Sequence, residues 1–279
     1  LRRQNQIIKI IELKVNCHHT SKEDFVKLNS LFIEVKWITN DCISSEDIFK
    51  YNYKDHRIVK NWNKDKKFVE RKITINTGIH QDIIRQIQQD IVNLSKKKKR
   101  GLKVGRLKFK RQVNSIPLRN LRIINSKTVS IAGFKKLKVY GLEQLETFSN
   151  YEIASPKLVK KASGFYIHVP ICINKEDIKR TLTNKTVGLD FGIKDNITTS
   201  DGEKFNCSVQ ESEYLKFLQR KLSKKIKNSK RYYKCLNQLQ REYEHLTNKK
   251  NDDSNKLMSY LLKTYDVIYF QDEQISAWR

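Results

Sequence analysis

Residues 186–208 read Thr-Val-Gly-Leu-Asp-Phe-Gly-Ile-Lys-Asp-Asn-Ile-Thr-Thr-Ser-Asp-Gly-Glu-Lys-Phe-Asn-Cys-Ser. The stretch opens with an apolar strand pattern that carries one carboxylate, Asp190, between Gly188 and Gly192. A carboxylate buried by apolar neighbours is costly unless a cation or a donor meets it, and flanking glycines let a backbone or ligand approach closely. Asp201-Gly202 then predicts a two-residue hairpin. The pattern indicates either a ligand-facing carboxylate or, more simply, an Asp that caps a turn.

A second strand pattern with nearby carboxylates lies at residues 266–279, where an apolar run leads into Gln271-Asp272-Glu273. Side chains alternate across a strand, so Gln271 and Glu273 share one face and Asp272 points to the other. In a ribonuclease-H-like sheet, the strand that follows the hairpin and helices returns beside the first. That arrangement would bring Asp190 close to an acid at the end of the second strand. Converging carboxylates can hold Mg²⁺ ions for phosphodiester cleavage, and the metal relieves their repulsion.

The composition favours a nucleic-acid partner. The chain has 57 Lys and Arg against 30 Asp and Glu, a formal net charge of +27, which indicates a polyanionic partner, either nucleic acid or an anionic membrane. No apolar run approaches the length of a membrane span and no signal peptide pattern occurs, so we expect no membrane association. The five cysteines form no Cys-x-x-Cys pair, which argues against a zinc ribbon in these residues and fits a cytoplasmic protein. Cys17-His18-His19 is interpreted as a polar strand end rather than a metal site.

Residues 96–111 carry the densest positive charge. Apolar residues recur at helical spacing over 80–98, and the helix ends in lysines that either complement its dipole as a solvated run or bind phosphates. Basic and apolar residues then alternate, which predicts a strand with one charged face suited to a phosphate backbone. The candidate nucleic-acid-binding residues are Lys96, Lys97, Lys98, Lys99, Arg100, Lys103, Arg106, Lys108, Lys110 and Arg111.

The remaining elements predict an α+β chain. A strand over 7–15 precedes a helix that begins at a capping box formed by Thr20 and Glu23. Residues 40–72 are predicted to be irregular, with aromatic residues that serve either a small core or base stacking. Short strands between 115 and 173, separated by glycines, predict a small barrel or sandwich. Beyond a polar linker and the hairpin, two long amphipathic helices and a shorter helix over 255–264 are expected.

Four segments resemble the TnpB (OrfB) family of insertion-sequence proteins, relatives of the type V CRISPR effectors. They are Val187-Gly-Leu-Asp-Phe-Gly-Ile-Lys-Asp-Asn with Thr199-Ser-Asp-Gly-Glu, Lys103-Val-Gly-Arg-Leu-Lys-Phe-Lys, Asn248-Lys-Lys-Asn-Asp, and Tyr265-Asp-Val-Ile-Tyr-Phe-Gln-Asp-Glu-Gln-Ile-Ser-Ala-Trp. The resemblance implies a transposon-encoded, RNA-guided DNA endonuclease with a guide RNA and a target DNA as partners and Mg²⁺ as cofactor. It also implies a β-barrel wedge domain with a helical recognition insertion, followed by a RuvC (ribonuclease-H-like) α/β domain.

The resemblance assigns domains and site residues. It places the wedge domain at 1–20 and 100–175, the recognition insertion at 21–99, a linker at 176–185, and the RuvC-like domain at 186–279. Asp190 matches the first RuvC carboxylate. Many members have Glu where this chain has Gln271, while a subgroup reads Gln-Asp-Glu, which makes Glu273 the candidate for the second catalytic and metal-binding carboxylate. The second position is therefore left open between Gln271 and Glu273.

The ends of the sequence raise a further expectation. The chain begins at Leu1 rather than Met and ends at Arg279, before the zinc ribbon and the third RuvC segment of the family. We therefore expect a fragment with an incomplete RuvC domain and without the family's zinc site. Two other functions stay open at this point: a naturally truncated protein that binds guide RNA and DNA without cutting, such as a transposon remnant, and an unrelated basic RNA-binding protein.

Overall fold

The computed structural model describes residues 5–62, 67–177, 181–192, 196–206 and 209–271. The chain divides into two compact units, Leu1–Ile178 and Lys179–Arg279, and both mix helices with strands. The α+β class predicted from the sequence is therefore confirmed. None of the helices in the described ranges has the length and apolar character needed to cross a membrane. The finer division into wedge, insertion, linker and nuclease domains stays a prediction.

The first unit contains one large sheet, a separate hairpin and two helices. The helices are α1 (Lys22–Ser44) and α2 (Thr77–Lys99), and the hairpin pairs β2 (Ile58–Trp62) with β3 (Phe68–Lys72). The large sheet contains β1 (Gln6–Val15), β4 (Ser115–Pro117), β5 (Arg122–Asn125), β6 (Thr128–Ile131), β7 (Phe134–Tyr140), β8 (Glu152–Ile153), β9 (Lys157–Lys161) and β10 (Gly164–Asn174). Short 3₁₀ helices cover Cys17–His19, Leu142–Leu145 and Lys175–Asp177.

The large sheet is open, so the predicted closure into a barrel is not observed. Its strand order is β4-β9-β10-β1-β7-β6-β5, with β8 added beside β10, and over the described residues β4 and β5 remain at opposite ends. Helix α1 packs on the sheet, with its Phe25 and Phe32 rings 5.7 and 5.8 Å from the ring of Phe165 on β10. The inner face of the sheet is thus covered by helices, which share a single apolar core with it.

The start of α1 differs from the prediction by one residue. Ser21, rather than Thr20, is the N-cap, and its hydroxyl accepts a hydrogen bond from the Asp24 amide at 3.0 Å. The Thr20 hydroxyl instead donates to the Asn16 carbonyl at 2.9 Å, which fixes the turn before the helix. Either hydroxyl can cap a helix start, and the competing bond to Asn16 decides between them.

Residues 40–72 are more regular than predicted. Helix α1 continues to Ser44, and strands β2 and β3 form an antiparallel hairpin in the middle of the stretch. Val59 on β2 is fully buried against the common core. The hairpin buries few apolar residues because one of its faces is exposed to solvent. Its sequence therefore shows too weak an alternation of apolar and polar residues to be recognised as strands.

The second unit is built around a four-stranded sheet. It contains β11 (Thr186–Phe191), β12 (Ile197–Thr199), β13 (Lys204–Phe205) and β14 (Val267–Phe270), in the order β13-β12-β11-β14. Strands β11, β12 and β13 pair antiparallel, as the Asp201-Gly202 hairpin predicts, and Gly202 adopts a positive φ of 86° in the turn. Strand β14 pairs parallel to β11, which confirms the expected return beside the first strand.

Two helices connect β13 to β14. Helix α3 (Glu213–Ser223) is followed by α4 (Lys230–Thr264), a single helix where the sequence predicts two. The polar segment in the middle of α4 contains neither Gly nor Pro, and an ion pair 2.6 Å long joins Asp252 to Lys256 one turn later. Such i,i+4 pairs support an exposed helix that has few apolar contacts. The end of α4 packs on the sheet, and its first half packs on α3.

His80 on α2 is an unusual feature of the first unit's core. Its side chain is 1% exposed, and its Nε2 atom has no hydrogen-bond partner among the described residues. Burial, and then the charges of Arg57 and His56, lower the pKa of His80 to about 4, while Asp41 acts in the opposite direction. The imidazole is therefore neutral in the folded unit at neutral pH.

We predict that His80 makes the first unit sensitive to acid. The folded pKa lies below the unfolded one, so the unfolded chain binds the extra proton as the pH falls from about 6.5 to 4, and the free energy of unfolding decreases across that window by about 3 kcal/mol. Chemical denaturation at several pH values should show a flatter pH profile for His80→Leu. The exposed His245, replaced by Asn, is the control. An unchanged profile for His80→Leu would contradict this role.

Candidate active site and nucleic-acid interface

The parallel register of β11 and β14 decides what lies beside Asp190. Gly188 is opposite Tyr269 and Leu189 is opposite Phe270, so the next position along the two strands brings Asp190 level with Gln271. Side chains directly opposite each other in neighbouring strands lie on the same face of a sheet. Asp190 and Gln271 therefore share one face at the ends of adjacent strands.

Asp190 lines an open pocket of about 560 Å³ at this end of the sheet. Its lining residues are Gly188, Leu189, Asp190, Thr198, Thr199, Ser200, Tyr269, Phe270 and Gln271. The carboxylate is exposed rather than buried, in contrast to the expectation from its apolar neighbours in the sequence. It lies one residue before the end of β11, on the face that meets the pocket, so it needs no buried partner to remain charged.

Asp266 fixes the start of the paired strands. Its Oδ2 atom accepts hydrogen bonds from the backbone amides of Thr183 at 2.7 Å and Asn184 at 2.5 Å. Its own amide donates to the Lys185 carbonyl at 2.8 Å. These bonds join the residues before β11 to those before β14, so they set the register that carries Asp190 to the level of Gln271.

Hydrogen bonds from the hairpin that follows β11 hold this strand in place. The Ser200 hydroxyl accepts a hydrogen bond from the Gly188 amide at 3.1 Å, and the Ser200 amide donates to the Gly188 carbonyl at 2.8 Å. The Tyr265 hydroxyl donates to Asp201 at 2.7 Å, and this bond raises the pKa of Tyr265 to about 12. The hairpin is thus tied to β11 on one side and to the end of α4 on the other.

The other predicted carboxylates lie outside the described residues. Asp272 and Glu273 both follow Gln271, the last described residue, so the predicted pairing of Asp190 with Glu273 stays a prediction. Within the described ranges, no three His, Cys, Asp or Glu side chains come together as a metal-binding group. The lining of the pocket includes the Asp190 carboxylate, the Gln271 carboxamide and the hydroxyls of Thr198 and Ser200, whose oxygen atoms are of the kind that Mg²⁺ binds.

The predicted nucleic-acid interface has two parts, of which the first is the end of α2. Lys96 to Lys99 form its last turn and are all exposed, as is Arg100 at the C-cap. Gly101 follows with a φ of 76°, and its amide and that of Leu102 donate to the carbonyls of Lys98 and Lys97. This Schellman arrangement ends the helix sharply and directs its four lysines toward solvent.

The second part, residues 102–111, is not the strand that the alternating sequence predicts. The backbone is irregular, and both its basic and most of its apolar side chains are exposed, including Phe109 at 63%. The alternation therefore reflects no buried face. Asn40 on α1 anchors this stretch, because its side chain accepts a hydrogen bond from the Lys110 amide at 2.7 Å and donates one to the Lys110 carbonyl at 3.0 Å.

A second open pocket joins these two parts. It measures about 630 Å³ and is lined by Asp90, Asn93, Leu94, Lys96, Lys97, Arg100 and Leu107. Three cations thus face a concave surface between the end of α2 and the segment that follows it. Lysine and arginine side chains placed around a groove suit contacts to phosphate oxygens.

Comparison with known proteins finds a family match that covers most of the second unit. Residues 168–274 match the OrfB_IS605 family, described as a probable transposase. The matched part runs from the end of β10 through β14 and includes Asp190 and Gln271. This match confirms the resemblance to the TnpB (OrfB) family over this part of the chain and indicates a transposase-like protein. No curated protein matches the chain significantly.

Three residues of these sites are missed by sequence reasoning. Asp266 could be recognised only as the polar residue before a strand, since its partners lie 82 and 83 positions away. Ser200 resembles any hairpin residue until its hydroxyl meets the Gly188 amide. Asn40 lies 70 positions from Lys110, and an Asn late in an amphipathic helix gives no sign of such a contact.

We predict that Asp266→Ala destabilises the second unit. The substitution removes the acceptor of two backbone amides, and charge-assisted bonds of this kind contribute about 2–4 kcal/mol together. The midpoint of urea unfolding, followed by circular dichroism, should fall accordingly. Asp266→Asn keeps one acceptor oxygen and should lose about half as much. A loss below about 0.5 kcal/mol for Asp266→Ala would show that the bonds do not hold the register.

We predict that Lys103, Arg106, Lys108 and Lys110 bind phosphates. Their joint replacement by Ala should weaken nucleic-acid binding and reduce the steepness with which the affinity falls with salt, because fewer counterions are released. Fluorescence anisotropy with a labelled RNA hairpin over a series of salt concentrations measures both effects.

The matched control removes four exposed lysines from other parts of the first unit: Lys22, Lys54, Lys72 and Lys136. The control changes the net charge by the same amount and should leave the salt slope nearer that of the unsubstituted chain. Equal effects of the two quadruple variants would mean that net charge alone, rather than this segment, determines the binding.

Proposed function

We propose that this transposase-like protein is an RNA-guided DNA endonuclease of the TnpB type, which cleaves phosphodiester bonds at a Mg²⁺-dependent RuvC site around Asp190. The observation that carries the proposal is the parallel pairing of β11 with β14, which brings Asp190 and Gln271 to one face of the pocket. The family match over residues 168–274 covers all the elements that build this face.

The residues of the pocket have distinct proposed roles. Asp190 is the first metal-binding carboxylate, and Glu273 is the second, as the Gln-Asp-Glu subgroup of the family implies. Gln271 lies level with Asp190 and offers an amide oxygen to the same ligand. Mg²⁺, when bound, would supply an activated water and stabilise the leaving oxygen of the phosphodiester. Ser200 holds β11 in place through Gly188 and is a positioning residue.

The rest of the chain provides the binding surfaces in this proposal. The open sheet of the first unit corresponds to the wedge domain, and α1, α2 and the β2–β3 hairpin correspond to the recognition insertion. The cations at the end of α2 and in residues 102–111 contact the backbone of the guide RNA or of the target DNA. An excess of 27 positive charges supports both partners, since each is a polyanion.

We predict that Asp190→Asn abolishes cleavage and leaves nucleic-acid binding intact. The isosteric amide removes the charge that a divalent cation requires, whereas binding is spread over many lysines. The protein should be purified with its bound RNA, and its cleavage of a plasmid complementary to that RNA should be measured in Mg²⁺. Asp252→Asn, an exposed substitution on α4, is the matched control and should cut normally.

Other outcomes of this experiment separate the alternatives. Glu273→Gln should also abolish cleavage, and Asp272→Asn should have little effect, because alternation in a strand continued past Gln271 predicts opposite faces for the two side chains. Full cleavage by Asp190→Asn would contradict the proposed site. Guided binding without cleavage in every variant, including the unsubstituted protein, would favour the RNA-guided binding protein over the endonuclease.

A further inference from the structure

Helix α3 presents two aromatic rings to solvent. Leu215 and Leu218 are buried against α4, with exposures of 0% and 1%, and form the core face of the helix. Tyr214 and Phe217 lie on a different face and are 52% and 53% exposed. Large aromatic side chains are usually stabilised by burial. A pair of them exposed side by side is therefore typical of a surface that binds a partner.

The two rings and a lysine form a continuous stripe. The ring centroids of Tyr214 and Phe217 are 6.3 Å apart, with 23° between the ring planes, and the Lys221 Nζ atom lies 5.5 Å from the centroid of Phe217. Residues three and four apart are neighbours on a helix surface, and Lys224 extends the stripe by another turn. The stripe thus places two flat aromatic surfaces next to positively charged side chains.

The surroundings of the stripe are strongly basic. Residues 213–234, from α3 into the beginning of α4, contain nine Lys and Arg and one acidic residue, Glu213. Glu213 pairs with Lys216 at 2.9 Å, and this bond lowers the pKa of the Glu213 carboxyl. The stripe would repel a basic partner, including a second copy of this chain. Its charge is complementary to a polyanion.

We propose that the Tyr214–Phe217–Lys221 stripe is a binding surface for single-stranded nucleic acid, with unpaired bases stacked on the two rings and phosphates held by the surrounding cations. Only an unpaired base can turn its π face to a side chain, whereas duplex bases cover each other. Phosphate binding alone would explain the lysines but not the exposed rings. The inference extends the proposed function, since it rests on a nucleic-acid partner, but it does not depend on cleavage.

The test compares strands with and without bases. The double variant Tyr214→Ala/Phe217→Ala should bind a labelled 20-nucleotide oligo-dT or oligo-U about 10-fold or more weakly, because stacking is lost at two rings. Binding of an abasic strand of the same length, and of a 20-base-pair duplex, should change little, and the salt slope should stay the same. If the double variant loses more affinity for oligo-dT, the ligand is DNA. If it loses more affinity for oligo-U, the ligand is RNA.

Controls separate this role from a structural one. The double variant Phe49→Ala/Phe68→Ala removes two exposed rings in the first unit and should bind as the unsubstituted chain does. Tyr214→Phe/Phe217→Tyr keeps both rings and should restore binding, and circular dichroism should show equal helix content in all variants. Equal losses on the abasic strand, or no loss on oligo-dT and oligo-U, would overturn the inference. Such a result would leave the role of Asp190 in cleavage untouched.

Discussion

The parallel pairing of β11 with β14 is the constraint on which the second unit depends. Parallel strands require a long crossover connection, and here the hairpin, α3 and α4 provide it. The Asp266 carboxylate accepts two backbone amides from the residues before β11, so a single side chain ties the two ends of that connection together. Without this pairing, Asp190 would be an isolated exposed carboxylate. With it, the carboxylate lies on the same face as Gln271, at the rim of a pocket.

The sequence predicts the local elements of this unit well. Short apolar runs identify β11 and β14. Asp201-Gly202 identifies the turn between β12 and β13, because glycine readily adopts the positive φ that Gly202 has there. The periodicity of Leu215, Leu218 and Leu222 identifies α3. The alternation of side chains across a strand predicts that Gln271 and Glu273 share one face, and this stays a prediction because Glu273 lies outside the described residues.

Features that depend on distant partners could not be predicted in this way. Alternating basic and apolar residues over 103–111 resemble a strand, but within the described residues no strand pairs with them, and most of their apolar side chains are exposed. The short strands of the first unit indicate a barrel, yet in the described residues β4 and β5 stay at opposite ends of an open sheet on which α1 packs. Helix α4 runs without a break through a polar middle segment that lacks an apolar stripe, where an exposed ion pair joins Asp252 to Lys256. In each case the outcome is set by contacts that local patterns do not contain.

Asp190 is the one carboxylate among the described residues that line the pocket, and it lies in a strongly positive protein. Positive charge draws a polyanion to the surface, while a carboxylate repels phosphate unless a cation lies between them. We therefore propose that Asp190 and the end of β14 bind a divalent cation together. Fe²⁺, substituted for Mg²⁺ and treated with ascorbate and peroxide, cuts the backbone near the metal, and mass spectrometry locates the cuts. A cation bound by both strands should give cuts near Asp190 and near Gln271. Excess Mg²⁺ should suppress these cuts, and Asp190→Asn should abolish them. Cuts at only one strand, or cuts that persist in Asp190→Asn, would contradict the proposal.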